Sequence, residues 1–283
     1  MANINLLKRR IKTAQNVSKT TKAMQMIAAS KLKRAQNAAL LARPYVEKLT
    51  TVAQNISKRI NDGETSPYMK PQSETERTLL IVISPDKGLC GGLITNLSRE
   101  ILNYDSKKKP YYVNIGKKSE NTLFKLDREI LASFPFGTSQ PNFDIVYPVI
   151  QMVNDYFLTG KVSEVNILST EFTSVFTQIP RVTKLLPIEL EVTGGTDDTT
   201  LFEPSVSELL PTLLKHYIEM VLYQNVLESF AAEQASRMIA MKNATDNARD
   251  IITDLKLEYN KSRQEKITNE ILDIGGASIH GAK

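Results

Sequence analysis

The chain has 283 residues, with 36 basic and 31 acidic side chains and a formal net charge of +5. Its residues are 41% hydrophobic and 24% charged, an ordinary soluble balance, and no run of about 18 apolar residues is present to cross a membrane. One cysteine, Cys90, excludes an internal disulfide and a thiolate zinc cluster, and two distant histidines, His216 and His280, leave little material for a histidine metal site or a Ser/His triad.

The charge is unevenly placed. Residues 1–60 hold 13 Lys/Arg against Glu47 alone, a net of +12, while residues 61–219 come to −6 and residues 220–283 to −1. So basic a terminal segment seeks an acidic partner, whether nucleic acid, anionic lipid or an acidic protein surface, unless it is simply a solvated helix face. The first ten residues lack the apolar core of a secretory signal and the long Arg/Ser-rich leader of an organelle precursor.

Residues 1–60 contain no glycine and one proline, and predict a long helix. Apolar or small residues recur at Ile4, Leu7, Ile11, Ala14, Val17, Thr21, Met24, Ala28, Leu32, Ala35 and onward to Ile60, a mean step of about 3.5, which is the period of a coiled-coil seam. Pro44 should kink or interrupt it. At 1.5 Å per residue, 60 residues reach roughly 90 Å, so the helix is expected to protrude.

Asn61–Ser73 reads as a linker, and residues 75–195 as an α/β domain of Rossmann-like type. Expected there are a buried strand (Arg77–Ser84), a turn (Pro85–Gly92), a helix (Leu93–Tyr104), a strand (Tyr111–Ile115), a helix (Lys117–Leu126) and a weak strand (Glu129–Ser133). A helix (Phe143–Thr159), a strand (Val162–Thr170) and an extended stretch (Thr183–Leu190) follow. Alternation of this kind argues for a mainly parallel sheet. Thr193–Thr200 is a second linker.

Ser205 is a candidate N-cap, with Glu208 three residues on, for a second long helix over residues 205–283. Its seam is expected through Val206, Leu210, Leu213, Tyr217, Met220, Leu227, Ala231, Ala235, Met238, Ala248, Ile252, Leu255, Tyr259 and Ile271. The two helices should pair antiparallel as a stalk. Matching the alanine-rich stretches around Ala28 and Ala235 makes paired residue numbers sum to about 263, which leaves the last twenty or so residues unpaired as a bare tip.

Candidate chemistry is thin. Ser84-Pro-Asp-Lys-Gly-Leu-Cys-Gly-Gly92 stands where phosphate loops stand, but its glycines fit neither a P-loop nor a dinucleotide loop, and a tight turn with positive φ is the plainer reading. Asp86 and Lys87 read as turn residues, and Cys90 has no histidine nearby in sequence to serve as a base. The basic helix has no aromatic residue before position 45 on which bases would stack, so nucleic-acid binding is not expected, and its apolar face is too small-residue-rich for a membrane surface. No catalytic residue, metal or cofactor is expected. The tip, Ile267 to Lys283, turns from polar to small and apolar, as a segment entering a snug socket would.

Four separated stretches resemble the gamma subunit of F-type ATP synthases: Leu7–Ala35, Asp86–Gly92, Glu233–Ala248, and Tyr259–Gln264 followed by Ile267–Ala277. The resemblance implies a central rotor shaft that couples proton or sodium flow to ATP synthesis inside an alpha/beta hexamer, with no catalysis of its own. It implies alpha, beta, epsilon and delta subunits and the membrane c-ring as partners, without membrane insertion. By motif, contacts with the catalytic beta subunit fall on Lys22, Met24, Arg237, Arg263, Gln264, Thr268 and Glu270, and the hexamer socket on Ile274, Ala277, Ile279 and Ala282. A place at the cytoplasmic face of a bacterial plasma membrane is expected, the mitochondrial matrix side being the alternative. The paired cysteines of the chloroplast relatives are absent. Two other readings are an α/β nucleotide-binding enzyme with helical arms, which would bind ATP or NAD directly, and a coiled-coil binder of nucleic acid or lipid, which salt-sensitive retention by residues 1–60 would mark.

Overall fold

The computed structural model describes residues 4–57, 66–70, 77–105, 110–189, 203 and 205–280; of 273–280 it describes the backbone only. Both expected linkers lie largely or wholly outside these residues. The chain divides into two compact units, one of Met1–Ile27 with Met238–Lys283 and one of Ala28–Arg237.

In the first unit, the N-terminal part of α1 (Ile4–Ser57) and the C-terminal part of α5 (Val206–His280) form an antiparallel pair. The inward positions of α1 are Ile4, Leu7, Ile11, Ala14, Ser18, Thr21 and Gln25, and those of α5 are Met238, Met241, Thr245, Ala248, Ile252, Leu255, Tyr259 and Ser262. Both rows alternate steps of three and four, the heptad pattern of knobs-into-holes packing. Val17 and Met24 were expected in this seam and are outside it, 47% and 38% exposed. The alternation from Ala14 lands on Ser18 and Gln25, and the apolar neighbours one position earlier point to water.

The register follows from two contacts. Thr245 and Thr21 are hydrogen-bonded hydroxyl to hydroxyl at 2.7 Å, and Lys8 Nζ lies 5.9 Å from the Tyr259 ring centroid. These pairs sum to 266 and 267, about one helical turn from the expected 263. Ser262 is the last buried position, and residues 263–272 are exposed throughout. Ile271, expected in the seam, is 64% exposed on that overhang. The helix runs on through Gly275 to His280.

In the second unit, five strands run in the order β3-β2-β1-β4-β5. They are β1 (Thr78–Ile83), β2 (Tyr111–Ile115), β3 (Ile130–Phe134), β4 (Glu164–Phe172) and β5 (Gln178–Leu186). All neighbours are parallel except β4 and β5. Every residue of β1 is buried, as a central parallel strand covered on both faces requires. Between the strands lie α2 (Leu93–Asp105), α3 (Lys117–Lys125) and α4 (Val146–Phe157). One face packs Leu97 and Ile101 of α2 on Leu80, Val82, Tyr112 and Leu168. Phe143–Ile145, expected to open α4, form a separate 3-10 turn. β5 starts five residues before the expected stretch and carries Pro180 in its interior, which is tolerated because it is an edge strand.

α5 meets this sheet through Asn225, whose Oδ1 accepts from Ser169 Oγ at 2.7 Å, and Ser229, whose Oγ accepts from the Thr170 amide at 3.2 Å. Its core residues here, Leu210, Leu214, Ile218, Leu222, Val226 and Phe230, come every four residues. That is longer than the helical period, so the buried stripe drifts round the helix. Leu213, Tyr217 and Met220, expected inward, are only half-buried. α1 passes Pro44 without a break. Pro44 is exposed, so the carbonyl it leaves unbonded faces water. Arg43–Glu228 (3.1 Å) and Tyr45 hydroxyl to His216 Nε2 (2.8 Å) tie α1 to α5 in this unit.

The turn from β2 into α3 depends on Gly116, at φ +102°. A Cβ there would sit 1.9 Å from the Ser84 carbonyl oxygen. Ser84 Oγ in turn meets Ser119 Oγ at 2.6 Å and accepts from the Ser119 amide at 3.0 Å, within a buried network that includes Asn114. Gly116→Ala should therefore cost more than about 3 kcal/mol in chemical denaturation, while Gly92→Ala, with nothing within 4 Å of the added Cβ, should stay within about 0.5 kcal/mol.

Candidate functional site

The residues singled out by motif are divided between the two units. In the first unit, Lys22 and Met24 stand on the outer side of α1, and Lys22 Nζ donates to Gln25 Oε1 at 3.2 Å. By the register, they lie opposite residues near 243 of α5. Arg263, Gln264, Thr268 and Glu270 lie about 30–40 Å further along α5 by helical rise, past the end of pairing. All four are exposed; Thr268 Oγ1 donates to the Gln264 carbonyl at 2.9 Å, and Glu270 pairs with Lys266 at 3.5 Å. Ile267, Ile271 and Leu272 beside them are large apolar residues left in water. The expected socket residues Ile274, Ala277 and Ile279 have side chains outside the described part, and Ala282 lies outside the described residues altogether.

The two helices of this unit differ in charge. Residues 4–27 of α1 carry Lys8, Arg9, Arg10, Lys12, Lys19 and Lys22 and no acid, a net of +6, and all six are exposed. Residues 238–272 of α5 carry six basic and six acidic side chains, a net of zero.

In the second unit, Arg237 is turned inward. Its Nη1 lies 2.6 Å from Glu233 Oε1 one turn earlier, and its Nη2 donates to the carbonyls of Lys87 (3.1 Å) and Gly88 (3.3 Å). Ser236 Oγ donates to the Cys90 carbonyl at 2.6 Å. Three carbonyls of the β1–α2 turn are thus held from α5. Asp86 anchors the same turn on its other side, accepting from the amides of Lys117 (3.0 Å), Phe136 (3.4 Å) and Gly137 (2.8 Å). Held between, Leu89 takes φ +64° and is 61% exposed. For a non-glycine residue this conformation costs about 1–2 kcal/mol. Of the turn's three glycines, only Gly91 takes a positive φ, at +55°.

Glu233 is 4% exposed. Burial pushes its carboxyl above the ordinary range, against the pull of Arg237. Its Oε2 has no hydrogen-bond partner among the described residues. The Cys90 thiol is likewise pushed up by burial. Among the described residues, no group of three His, Cys, Asp or Glu is placed to hold a metal ion, and no helix is long and apolar enough to cross a membrane. Sequence reasoning passed over Glu233, although the signal was present: one acid inside Ala231-Ala-Glu-Gln-Ala235, four residues before an arginine.

Paired terminal helices and a parallel-sheet body of this kind also occur in solved rotary ATP synthases. The rotor of the Euglena gracilis mitochondrial enzyme aligns with a TM-score of 0.66 at 16% identity, over 93% of this chain and 98% of that one. The Tetrahymena thermophila central stalk aligns at 0.60 with 24% identity, over 80% of this chain and 99% of that one. The fold is that of these rotor and central-stalk chains. A family model described as ATP synthase matches residues 3–278. Relatives named ATP synthase gamma chain are 38% identical in Dehalococcoides mccartyi, over 98% of this chain and 99% of the relative, and 36% identical in Herpetosiphon aurantiacus, over 98% of both. The chain belongs to the ATP synthase gamma-chain family.

A buried ion pair is lost asymmetrically. Removing one partner strands a charge, while replacing both with apolar residues of similar size is close to neutral. Glu233→Leu or Arg237→Met alone should cost about 3–5 kcal/mol, and the double variant less than either single. Urea denaturation of the four proteins as a double-mutant cycle checks this.

Proposed function

We propose that the chain is the torque-bearing shaft through which proton or sodium flow across a membrane drives ATP synthesis, turning inside a hexamer of alpha and beta subunits while epsilon and the c-ring hold its foot and delta completes the complex. The reading places it at the cytoplasmic face of a bacterial plasma membrane. Support comes from family membership and from one physical feature above all: a coiled coil of unequal faces, +6 on one helix and zero on the other.

A partner's equilibrium moves only if it makes different contacts with the shaft in its different states. A shaft with equal faces would treat three surrounding catalytic subunits alike at every angle. One that is basic on one side and neutral on the other presents each subunit with a different potential, so turning it converts an angle into a difference in nucleotide affinity. Contact would pass through Lys22 and Met24 beside the basic face and through Arg263, Gln264, Thr268 and Glu270 on the overhang. Arg237 belongs to the same set through the turn it grips. Ile274, Ala277, Ile279 and Ala282 would enter the apolar socket.

Met24 tests the arrangement because it is exposed on the same turn of α1 as Lys22 without belonging to the seam. Met24→Lys adds a seventh cation to this helix outside the seam, and an acidic loop of the catalytic subunit would hold it. In the assembled complex, ion pumping per ATP should fall by at least half while ATP hydrolysis stays within about twofold. An unchanged ratio of pumping to hydrolysis would remove these residues from the coupling surface.

A further inference from the structure

We propose that Glu233 is a positioning residue: it aims the Arg237 guanidinium onto the β1–α2 turn and so keeps that turn clasped to α5, with Cys90 shut beneath it.

Arg237 makes contacts to two elements with one planar group. Nη1 is taken by Glu233 at 2.6 Å, and Nη2 by the Lys87 and Gly88 carbonyls at 3.1 and 3.3 Å. A lysine in its place has a single nitrogen and cannot span both sides with the same fork. Glu233 sits one turn back on the same helix, so its carboxylate fixes the direction in which the long arginine side chain leaves α5. Without it, the guanidinium would be a mostly buried cation facing neutral carbonyls, and water would compete for it. The turn needs the grip because Leu89 is held in a left-handed conformation that it would leave if released. Cys90 follows Leu89, is 1% exposed, and packs with Leu93 and Ala232 of α5.

The clasp is a different thing from fold stability, and the chain contains its own reporter. Cys90 is the only cysteine, so a thiol reagent added to the full chain reads this turn and nothing else. Glu233→Leu and Arg237→Lys should each speed Cys90 modification at least tenfold. The double variant Glu233→Leu/Arg237→Met should stay equally fast even as its denaturation midpoint recovers. Phe157→Ala, a cavity in buried α4, should lose comparable stability yet leave the Cys90 rate within twofold. If instead labelling rates follow the denaturation midpoints, with Phe157→Ala as fast as Glu233→Leu and the double variant back to the parent rate, Glu233 merely supports the fold and the proposal is wrong.

A consequence for coupling rests on the shaft reading and has its own readout. In the assembled complex, Glu233→Leu should lower pumping per ATP. Fast Cys90 labelling together with an unchanged ratio upholds the clasp and counts against a role of this turn in coupling.

Discussion

Heptad packing between the first and last stretches of the chain is the constraint on which the rest of the arrangement depends. A seam of this kind is narrow, and here it is not uniformly apolar. Ser18, Thr21 and Gln25 on α1, and Thr245 and Ser262 on α5, take inward positions that leucine or isoleucine would fill more stably. Polar residues at such positions give up stability and fix the register, because only one alignment pairs their hydrogen-bonding groups. The Thr21–Thr245 contact is such a pin. A helix pair whose register is fixed presents its outward side chains at fixed angles, and the charge difference between its faces has meaning only on that condition.

The second unit solves another problem. There a β-sheet with a fully buried central strand is closed by α2 on one side and gripped by α5 through Asn225 and Ser229. Its polar content goes into turns: Asp86 collects three amides, Ser84 and Ser119 brace the turn at Gly116, and Arg237 collects carbonyls. In both units the chain spends its polar groups on fixing geometry.

Much of this was legible in the residues, and the errors have common causes. Strand and helix order in the middle was plain because buried parallel strands are runs of β-branched and aliphatic residues, and Tyr111–Ile115 coincides with the expected strand. Seam positions slipped at Val17 and Met24 because hydrophobicity was followed where heptad spacing prevailed. Pro44 and Pro180 were read as breakers or ignored, yet each stands where its missing N–H is harmless, one on an exposed helix side and the other in an edge strand. The turn residues were recognised as a turn, but its positive φ falls on Leu89 and Gly91, which depends on what α5 holds in place. Arg237 and Gly116 matter through partners 150 residues (Lys87) and 32 residues (Ser84) away, and no local pattern reports those. The contact residues, by contrast, came from motif alone, since exposed side chains carry no packing signature.

The most direct measurement is a disulfide between the two helices. In a Cys90→Ser background, Thr21→Cys with Thr245→Cys places two thiols where hydroxyls now touch, and mild oxidation should bridge them within one chain. The assembled complex carrying that bridge should pump ions and turn over ATP as the reduced one does, because the two helices turn as one body. Failure of the bridge to form would contradict the antiparallel register, and loss of turnover on its formation would contradict a shaft that rotates as a unit.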